Sequence, residues 1–133
     1  MNKLSILYIL GCILITISCK KPAGEGGNSS IKGNVWVKDY NKSLTILQYE
    51  YIGVDVDVYI IYGDETSYGD KVKTNGNGEF EFKYLRKGNY RIYAISDERI
   101  GNTNDTKEVA IEVEATITDK KQVVDVGQIT VKR

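Results

Sequence analysis

The sequence predicts an all-β protein, a single antiparallel β-sandwich of about seven strands, and three observations favour this class. Apolar and polar residues alternate with a period of two in several runs, for example over residues 54–62. Clusters rich in glycine and asparagine separate these runs and are typical of turns. After residue 30, no segment shows the 3.6-residue period of an amphipathic helix. Strands with one apolar and one polar face pack as two antiparallel sheets that bury their apolar faces together.

The alternating runs place the strands in chain order. The seven predicted strands begin near Ile31, Val54, Lys71, Phe80, Tyr90, Val109 and Val124. Residues 90–95 are apolar on both faces except at Arg91, which predicts a central strand. In the last strand the apolar parity changes at Gly127 and Gln128, which predicts a β-bulge there.

The connections and the core follow from the same pattern. Residues 74–78 and residues 86–89 have the glycine and asparagine content of tight hairpins between neighbouring strands. Residues 96–106 are polar and are predicted to form a loop. We expect Trp36, both phenylalanines and the valine and isoleucine rows to be buried, which gives a core large enough for independent folding.

The first 20 residues have the layout of an export signal. Lys3 precedes an apolar run over residues 4–17, and Ser18 places a small residue directly before Cys19. This layout resembles the bacterial lipoprotein signal, in which cleavage exposes a cysteine that receives acyl chains. The run is shorter than the roughly 20 residues that a membrane-spanning helix needs. A plain signal peptide is the alternative, but no A-x-A-like cleavage site stands near Ser18.

We therefore expect a signal peptide at residues 1–18, a lipidated Cys19, and a β-sandwich domain at residues 31–133. Residues 19–30 contain glycine, serine and almost no apolar side chain, which predicts a flexible linker. The resemblance implies a cell-envelope protein that its lipid holds in a membrane. It further implies the outer membrane of a Gram-negative bacterium, because Lys20 is not the aspartate that retains such proteins at the inner membrane. The periplasmic and the surface face both stay open.

Composition argues against several functional classes. Eighteen basic and 18 acidic residues leave no net charge, so the overall charge favours neither nucleic acid nor anionic lipid as a partner. Histidine is absent, which removes the commonest general base and the commonest metal ligand. One of the two cysteines, Cys12, lies in the expected signal peptide. We therefore expect no catalytic residues, no metal site and no cofactor.

Residues 78–92, with the sequence GEFEFKYLRKGNYRI, resemble the carboxypeptidase regulatory-like domains, which are transthyretin-like. The shared pattern is a G-x-F-x-F strand followed by an L-x-x-G-x-Y corner. The resemblance implies a prealbumin-like Greek-key sandwich that serves as an accessory, adhesive or folding module, generally without catalytic residues.

Tyr40, Tyr49 and Tyr51 are the candidate ligand- or partner-binding residues. Tyrosine offers a large contact area and a hydroxyl, which suits sugars and peptides. The alternative for the segment around them is an extra strand or a flap. The acidic residues between Asp55 and Asp70 lack the spacing of a calcium-binding loop. The sequence thus favours a non-enzymatic, lipid-anchored envelope protein that binds another protein or has an accessory role, with carbohydrate binding as the alternative.

Overall fold

The computed structural model describes residues 21–133, and these residues form eight β-strands and no helix. The strands are β1 (Glu25–Tyr40), β2 (Leu47–Ile52), β3 (Asp57–Tyr62), β4 (Asp70–Lys73), β5 (Glu79–Leu85), β6 (Gly88–Arg99), β7 (Thr106–Ile117) and β8 (Val123–Lys132). The predicted all-β sandwich is confirmed, with one strand more than expected. The described residues accordingly include no helix that could cross a bilayer.

Two sheets form the sandwich. The β1 sheet contains β1, β2, β5 and β8, and the β3 sheet contains β4, β3, β6 and β7 in that order. All pairings are antiparallel except one, because β8 runs parallel to β1. The expectation of a purely antiparallel sandwich was therefore wrong for this pair. The prediction that residues 90–95 form a central strand is confirmed, since β6 lies between β3 and β7.

The core lies between the inner faces of the two sheets. Alternate residues of β1, β3, β5, β6 and β8 point into it, as their period-two pattern predicts. Its fully buried members include Ile31, Ile60, Phe82, Tyr90, Ile92 and Ile129. Trp36 is not among them. The expectation that Trp36 is buried was wrong, because its neighbours Val35 and Val37 occupy the inward positions of β1.

One edge of β1 is shared by two strands placed end to end. β5 pairs with the first half of β1, and β2 pairs with residues 36–40. Val35 bridges the junction, since its amide donates to the Gly78 carbonyl at 2.8 Å and its carbonyl accepts from the Gly53 amide at 2.9 Å. β8 occupies the other edge of β1, where Gly127 has a φ of +76°. The register shift there confirms the predicted β-bulge at Gly127 and Gln128.

The two turns predicted to be hairpins instead connect the two sheets. β4 pairs with β3, whereas the next strand, β5, pairs with β1, so residues 74–78 cross from one sheet to the other. Residues 86–87 likewise link β5 to β6 of the β3 sheet. Turn chemistry shows that the chain reverses direction but not which sheet the next strand joins. The predicted loop at residues 96–106 is also shorter, because β6 continues to Arg99.

The expected flexible linker at residues 19–30 was wrong for its second half. β1 begins at Glu25, and Ser29 and Ser30 are buried. Gly27 lies directly against the carbonyl of Leu85, where a Cβ atom would collide with backbone. The glycine therefore permits close packing of two strands rather than flexibility. Cys19 and the predicted signal peptide lie outside the described residues.

Candidate functional site

A groove of about 520 Å³ crosses the outer face of the β1 sheet. β1 contributes Lys32, Asn34 and Trp36, and the neighbouring strands and turn add polar side chains around them. The lining also includes Ile52 of β2, Asn75 and Asn77 of the turn, Glu79 and Glu81 of β5, and Asp125 and Gln128 of β8. The groove combines the aromatic ring of Trp36 with surrounding amide and carboxylate side chains, and this combination makes it the candidate site.

Trp36 is half-buried in this groove because the alternation of β1 directs it away from the core. Its indole Nε1 donates a hydrogen bond to Glu50 Oε1 of β2 at 3.2 Å. Glu50 also lies 3.9 Å from Lys38 Nζ, one position further along the same face. The hydrogen bond restrains the indole relative to β2, so the ring is oriented before any ligand arrives.

The polar side chains of the groove make only long hydrogen bonds to one another. Asn34 Nδ2 donates to Gln128 Oε1 at 3.5 Å, and Asn75 Nδ2 donates to Glu79 Oε2 at 3.4 Å. Both distances lie beyond the usual range of 2.7–3.2 Å for such bonds. A ligand with hydroxyl groups can replace these weak contacts with shorter ones.

The turn at one end of the groove has a fixed shape. Asn75 Oδ1 accepts hydrogen bonds from the amides of Asn77 and Glu79, each at 2.9 Å. Gly78 has a φ of +73°, a conformation that side chains with a Cβ atom rarely adopt. Its Cα also lies so close to the Ile52 side chain that a Cβ atom would collide with it. The turn therefore presents Asn75 and Asn77 to the groove in one arrangement.

The groove carries an excess of negative charge. Glu79, Glu81 and Asp125 line it, against the single cation Lys32. Among residues 21–133, none of these three carboxylates forms an ion pair. Within the same part of the chain, no cluster of three side chains is arranged to hold a metal ion. The groove is thus suited to a neutral or cationic ligand that accepts and donates hydrogen bonds.

The structure does not bring the three predicted tyrosines together. Tyr40 lies on the same face as Trp36, with Lys132 Nζ 5.7 Å from the centre of its ring. Tyr49 and Tyr51 point to the other face of β2 and are 69% and 44% exposed. The Tyr51 hydroxyl donates to Asp39 Oδ2 at 3.3 Å, and partial burial, followed by the Asp39 charge, raises the pKa of Tyr51. The segment forms the extra strand β2, which was the structural alternative.

Sequence reasoning missed Trp36 as a site residue, although a signal was present. Ile31, Gly33, Val35 and Val37 share one parity, which places Trp36 on the opposite face of the same strand. Trp36 is also the only tryptophan of the chain. An aromatic residue out of phase with the apolar row indicates a surface role more directly than a local abundance of tyrosine.

A second set of aromatic residues lies on the outer face of the β3 sheet. Tyr59 and Tyr93 stack with ring centres 4.8 Å apart and an interplanar angle of 8°. Tyr68 packs edge-on against Tyr59 at 4.9 Å, and Lys71 Nζ lies 5.9 Å from the Tyr59 ring centre. The Tyr59 ring therefore has three neighbours within the protein.

Comparison with known proteins identifies the family. Residues 44–119 match the family described as polysaccharide lyase family 4, domain II. A crystal structure of a Pseudomonas aeruginosa protein, described as a candidate carbohydrate-binding protein, is 12% identical and has a TM-score of 0.48; the alignment covers 84% of this chain and 92% of that one. No curated protein matches the chain. Because the family match spans more than half of its residues, the chain belongs to the family of polysaccharide lyase family 4, domain II.

Proposed function

We propose that this protein is a non-catalytic glycan-binding module, which acyl chains on Cys19 hold at the cell envelope. The observation that carries the proposal is the Trp36 groove on the outer face of the β1 sheet. The family name supports it, since it places related domains in proteins that act on polysaccharides.

The chemistry of the groove suits a sugar ring. A pyranose has an apolar face of C–H groups and a rim of hydroxyls. The indole of Trp36 can pack against the C–H face, as aromatic rings do with apolar partners. The pairs Asn34–Gln128 and Asn75–Glu79 can exchange their long hydrogen bonds for hydrogen bonds to hydroxyls. Tyr40 is four residues from Trp36 on the same face, about 13 Å along the strand. That separation favours an oligosaccharide over a single sugar.

Binding without turnover is the simpler function for this groove. It lies on the solvent face of a sheet, and the chain contains no histidine to serve as a general base at neutral pH. The proposal is thus an adapter that recognises a glycan and leaves it intact. Release of reducing sugar from any bound glycan would contradict it.

Trp36→Ala provides the test. We expect the processed protein to bind one class of oligosaccharide on a glycan array, and the substitution to weaken that binding at least tenfold, since truncation of a central aromatic contact commonly costs about 2 kcal/mol. Trp36→Phe should retain part of the affinity. Tyr49→Ala is the matched control, because Tyr49 is exposed on the other face of β2. Absence of any glycan ligand, or equal loss in both alanine variants, would overturn the proposal.

Membrane anchoring is the second part of the proposal and has its own test. Cys19→Ser should shift the protein from the membrane fraction to the soluble fraction, because several acyl chains are needed for stable attachment. Mass spectrometry of the wild-type N-terminus should find the acyl chains. Localisation in the outer membrane would show as co-fractionation with outer-membrane markers. An unmodified terminus would contradict the anchor without affecting the groove.

Protein binding is a second candidate function, and β2 favours it. All six residues of this strand are exposed, and Leu47 and Tyr49, with Ile46 directly before the strand, are large exposed apolar side chains at the sheet edge. An edge strand with exposed apolar side chains can pair with a strand from a partner. Crosslinking in intact cells, followed by purification, would recover such a partner. Tyr49→Lys should abolish the crosslink and leave glycan binding unchanged.

A further inference from the structure

The chain that follows Cys19 is fastened to the sandwich almost at once. Arg86 Nε donates to the Pro22 carbonyl at 2.7 Å, and the Arg86 amide donates to the Gly24 carbonyl at 2.8 Å. The amide of Gly24 donates to the hydroxyl of Tyr90, a fully buried side chain, at 2.9 Å. Residues 22–24 thus belong to the folded domain.

This attachment limits how far the domain can move from residue 19. Pro22 is three residues after Cys19, and three residue steps span at most about 11 Å. Ala23 packs against Gly88, where a Cβ atom would collide with it, so the contact leaves no room for adjustment. If Cys19 is acylated, as the proposed function holds, this end of the sandwich lies within about one Debye length of the headgroups.

The same end of the sandwich, which we call the N-terminal pole, carries a basic cavity of about 1000 Å³. The cationic residues in its lining are Lys21, Arg86, Lys87 and Lys120, and the acidic residue is Asp64. Two more carboxylates lie near its margin, those of Glu25 at the start of β1 and Asp119 next to Lys120.

The lysines of the pole are presented by ordered backbone. The turn that holds Lys120 is tied to β1, because Ser29 Oγ donates to the Asp119 carbonyl and accepts from the Gln122 amide, both at 3.0 Å. Gln122 Oε1 in turn accepts from the amide of Thr118 at 2.9 Å. The cations therefore face outward from a rigid end of the domain.

We propose that the N-terminal pole docks against phosphate-bearing anionic lipid headgroups and fixes the orientation of the domain on the membrane. Because residues 22–24 are fastened to the sandwich, the N-terminal pole lies close to the bilayer. The cations of the pole complement the phosphates of the lipid headgroups. The Trp36 groove runs along the side of the sandwich and would stand at a constant height above the surface. The lipid supplies attachment and the pole supplies orientation, which are two separate roles.

The test uses the processed chain with Cys19→Ser, which contains every residue of the described sandwich, so that lipidation plays no part. We expect it to co-sediment with phosphatidylcholine vesicles that contain phosphatidylglycerol, and not with phosphatidylcholine alone, at low salt. Lys87→Glu with Lys120→Glu should weaken this binding at least 20-fold, since each lysine near an anionic surface contributes roughly fivefold.

The control pair is Lys42→Glu with Lys107→Glu, which makes the same change in net charge at the opposite end of the sandwich. Within the described part of the chain, the one ion pair of Lys107 is with Glu98, at 3.6 Å. Both side chains are exposed, so the loss of this pair costs little stability. The control should alter vesicle binding less than twofold, and melting temperatures should confirm that both variants fold. Equal loss in both pairs would show a net-charge effect and overturn the proposal, as would equal binding to both kinds of vesicle. Neither outcome affects the glycan groove, and a failure of Cys19 acylation would leave the vesicle result standing.

Discussion

The two outer faces of the sandwich both carry aromatic residues, but they differ in what those residues already contact. On the β3 sheet, Tyr59 lies between Tyr93, Tyr68 and Lys71, so its ring is occupied by protein neighbours. On the β1 sheet, Trp36 has one hydrogen bond, to Glu50, and lines an open groove. The first arrangement stabilises the fold, and the second leaves an aromatic surface for a ligand.

This difference shows why the number of aromatic residues on a surface is a poor guide to binding. On the β3 face, the ring of Tyr59 is already packed against the rings of Tyr68 and Tyr93. Pre-existing contacts between side chains must be broken before a ligand can use them, and that cost reduces affinity. A single restrained indole with weakly bonded polar neighbours is the better binding surface.

Tyr59→Ala should distinguish the roles of the two outer faces most clearly. Loss of the stacked and edge-on contacts should lower the free energy of unfolding by about 1–2 kcal/mol, because each aromatic pair contributes roughly 0.5–1.5 kcal/mol beyond its buried area. Glycan affinity should stay unchanged, whereas Trp36→Ala should show the reverse pattern. Urea denaturation and titration calorimetry measure the two quantities. Weaker glycan binding in folded Tyr59→Ala would contradict the assignment of roles.

Changing the charge of the groove should have a smaller effect on glycan affinity than Trp36→Ala. Glu79→Gln with Glu81→Gln removes two negative charges from the groove wall and should raise the affinity for an acidic oligosaccharide several-fold at low salt. The gain should vanish near 1 M salt, where the Debye length falls to about 3 Å. Glu108→Gln with Glu114→Gln is the matched control on the β3 sheet, since both residues lie on β7 and, among residues 21–133, neither forms an ion pair. Equal gains in both pairs would assign the effect to net charge.

Much of the fold could be predicted from the alternation of apolar residues, because burial on one face of a sheet dictates a period of two. Seven of the eight strands, the central position of β6 and the bulge at Gly127 all followed from that rule, whereas β2 did not. Sheet membership did not, since the turn at residues 74–78 has hairpin chemistry but joins strands of different sheets. The parallel pairing of β8 with β1 is a long-range contact that no local pattern encodes.

The candidate site was harder to predict than the fold. Tyr40, Tyr49 and Tyr51 are close in sequence, yet β2 pairs with β1 so that Tyr49 and Tyr51 face away from the groove. The groove residues come from four strands and one turn, and only the sheet pairing brings them together. Gly26 and Gly27 led to the wrong prediction of a flexible linker for a similar reason. Glycine is typical of flexible linkers, but here it is required by close packing against Leu85 and Arg86.

An inward-facing aromatic residue of β3, Tyr62, makes the stability of the sandwich depend on pH in the alkaline range. Tyr62 lies on β3 like Tyr59, but it points toward the core and packs edge-on against Tyr90 at 5.9 Å. Burial, with smaller contributions from Glu25 and Asp70, raises the pKa of Tyr62 from 10.0 to about 12.

The folded state therefore keeps the Tyr62 proton at pH values where the unfolded chain has lost it. The resulting stabilisation is fully present below pH 10 and is lost as the pH rises from 10 to about 12. Tyr62→Phe cannot ionise, so its free energy of unfolding should fall less steeply over this interval than that of the wild type. Urea denaturation at pH 8, 10 and 11.5 measures the slopes, and the pH 8 values isolate the effect of the missing hydroxyl on packing. Parallel slopes for the two proteins would mean that Tyr62 ionises as easily in the sandwich as in the unfolded chain.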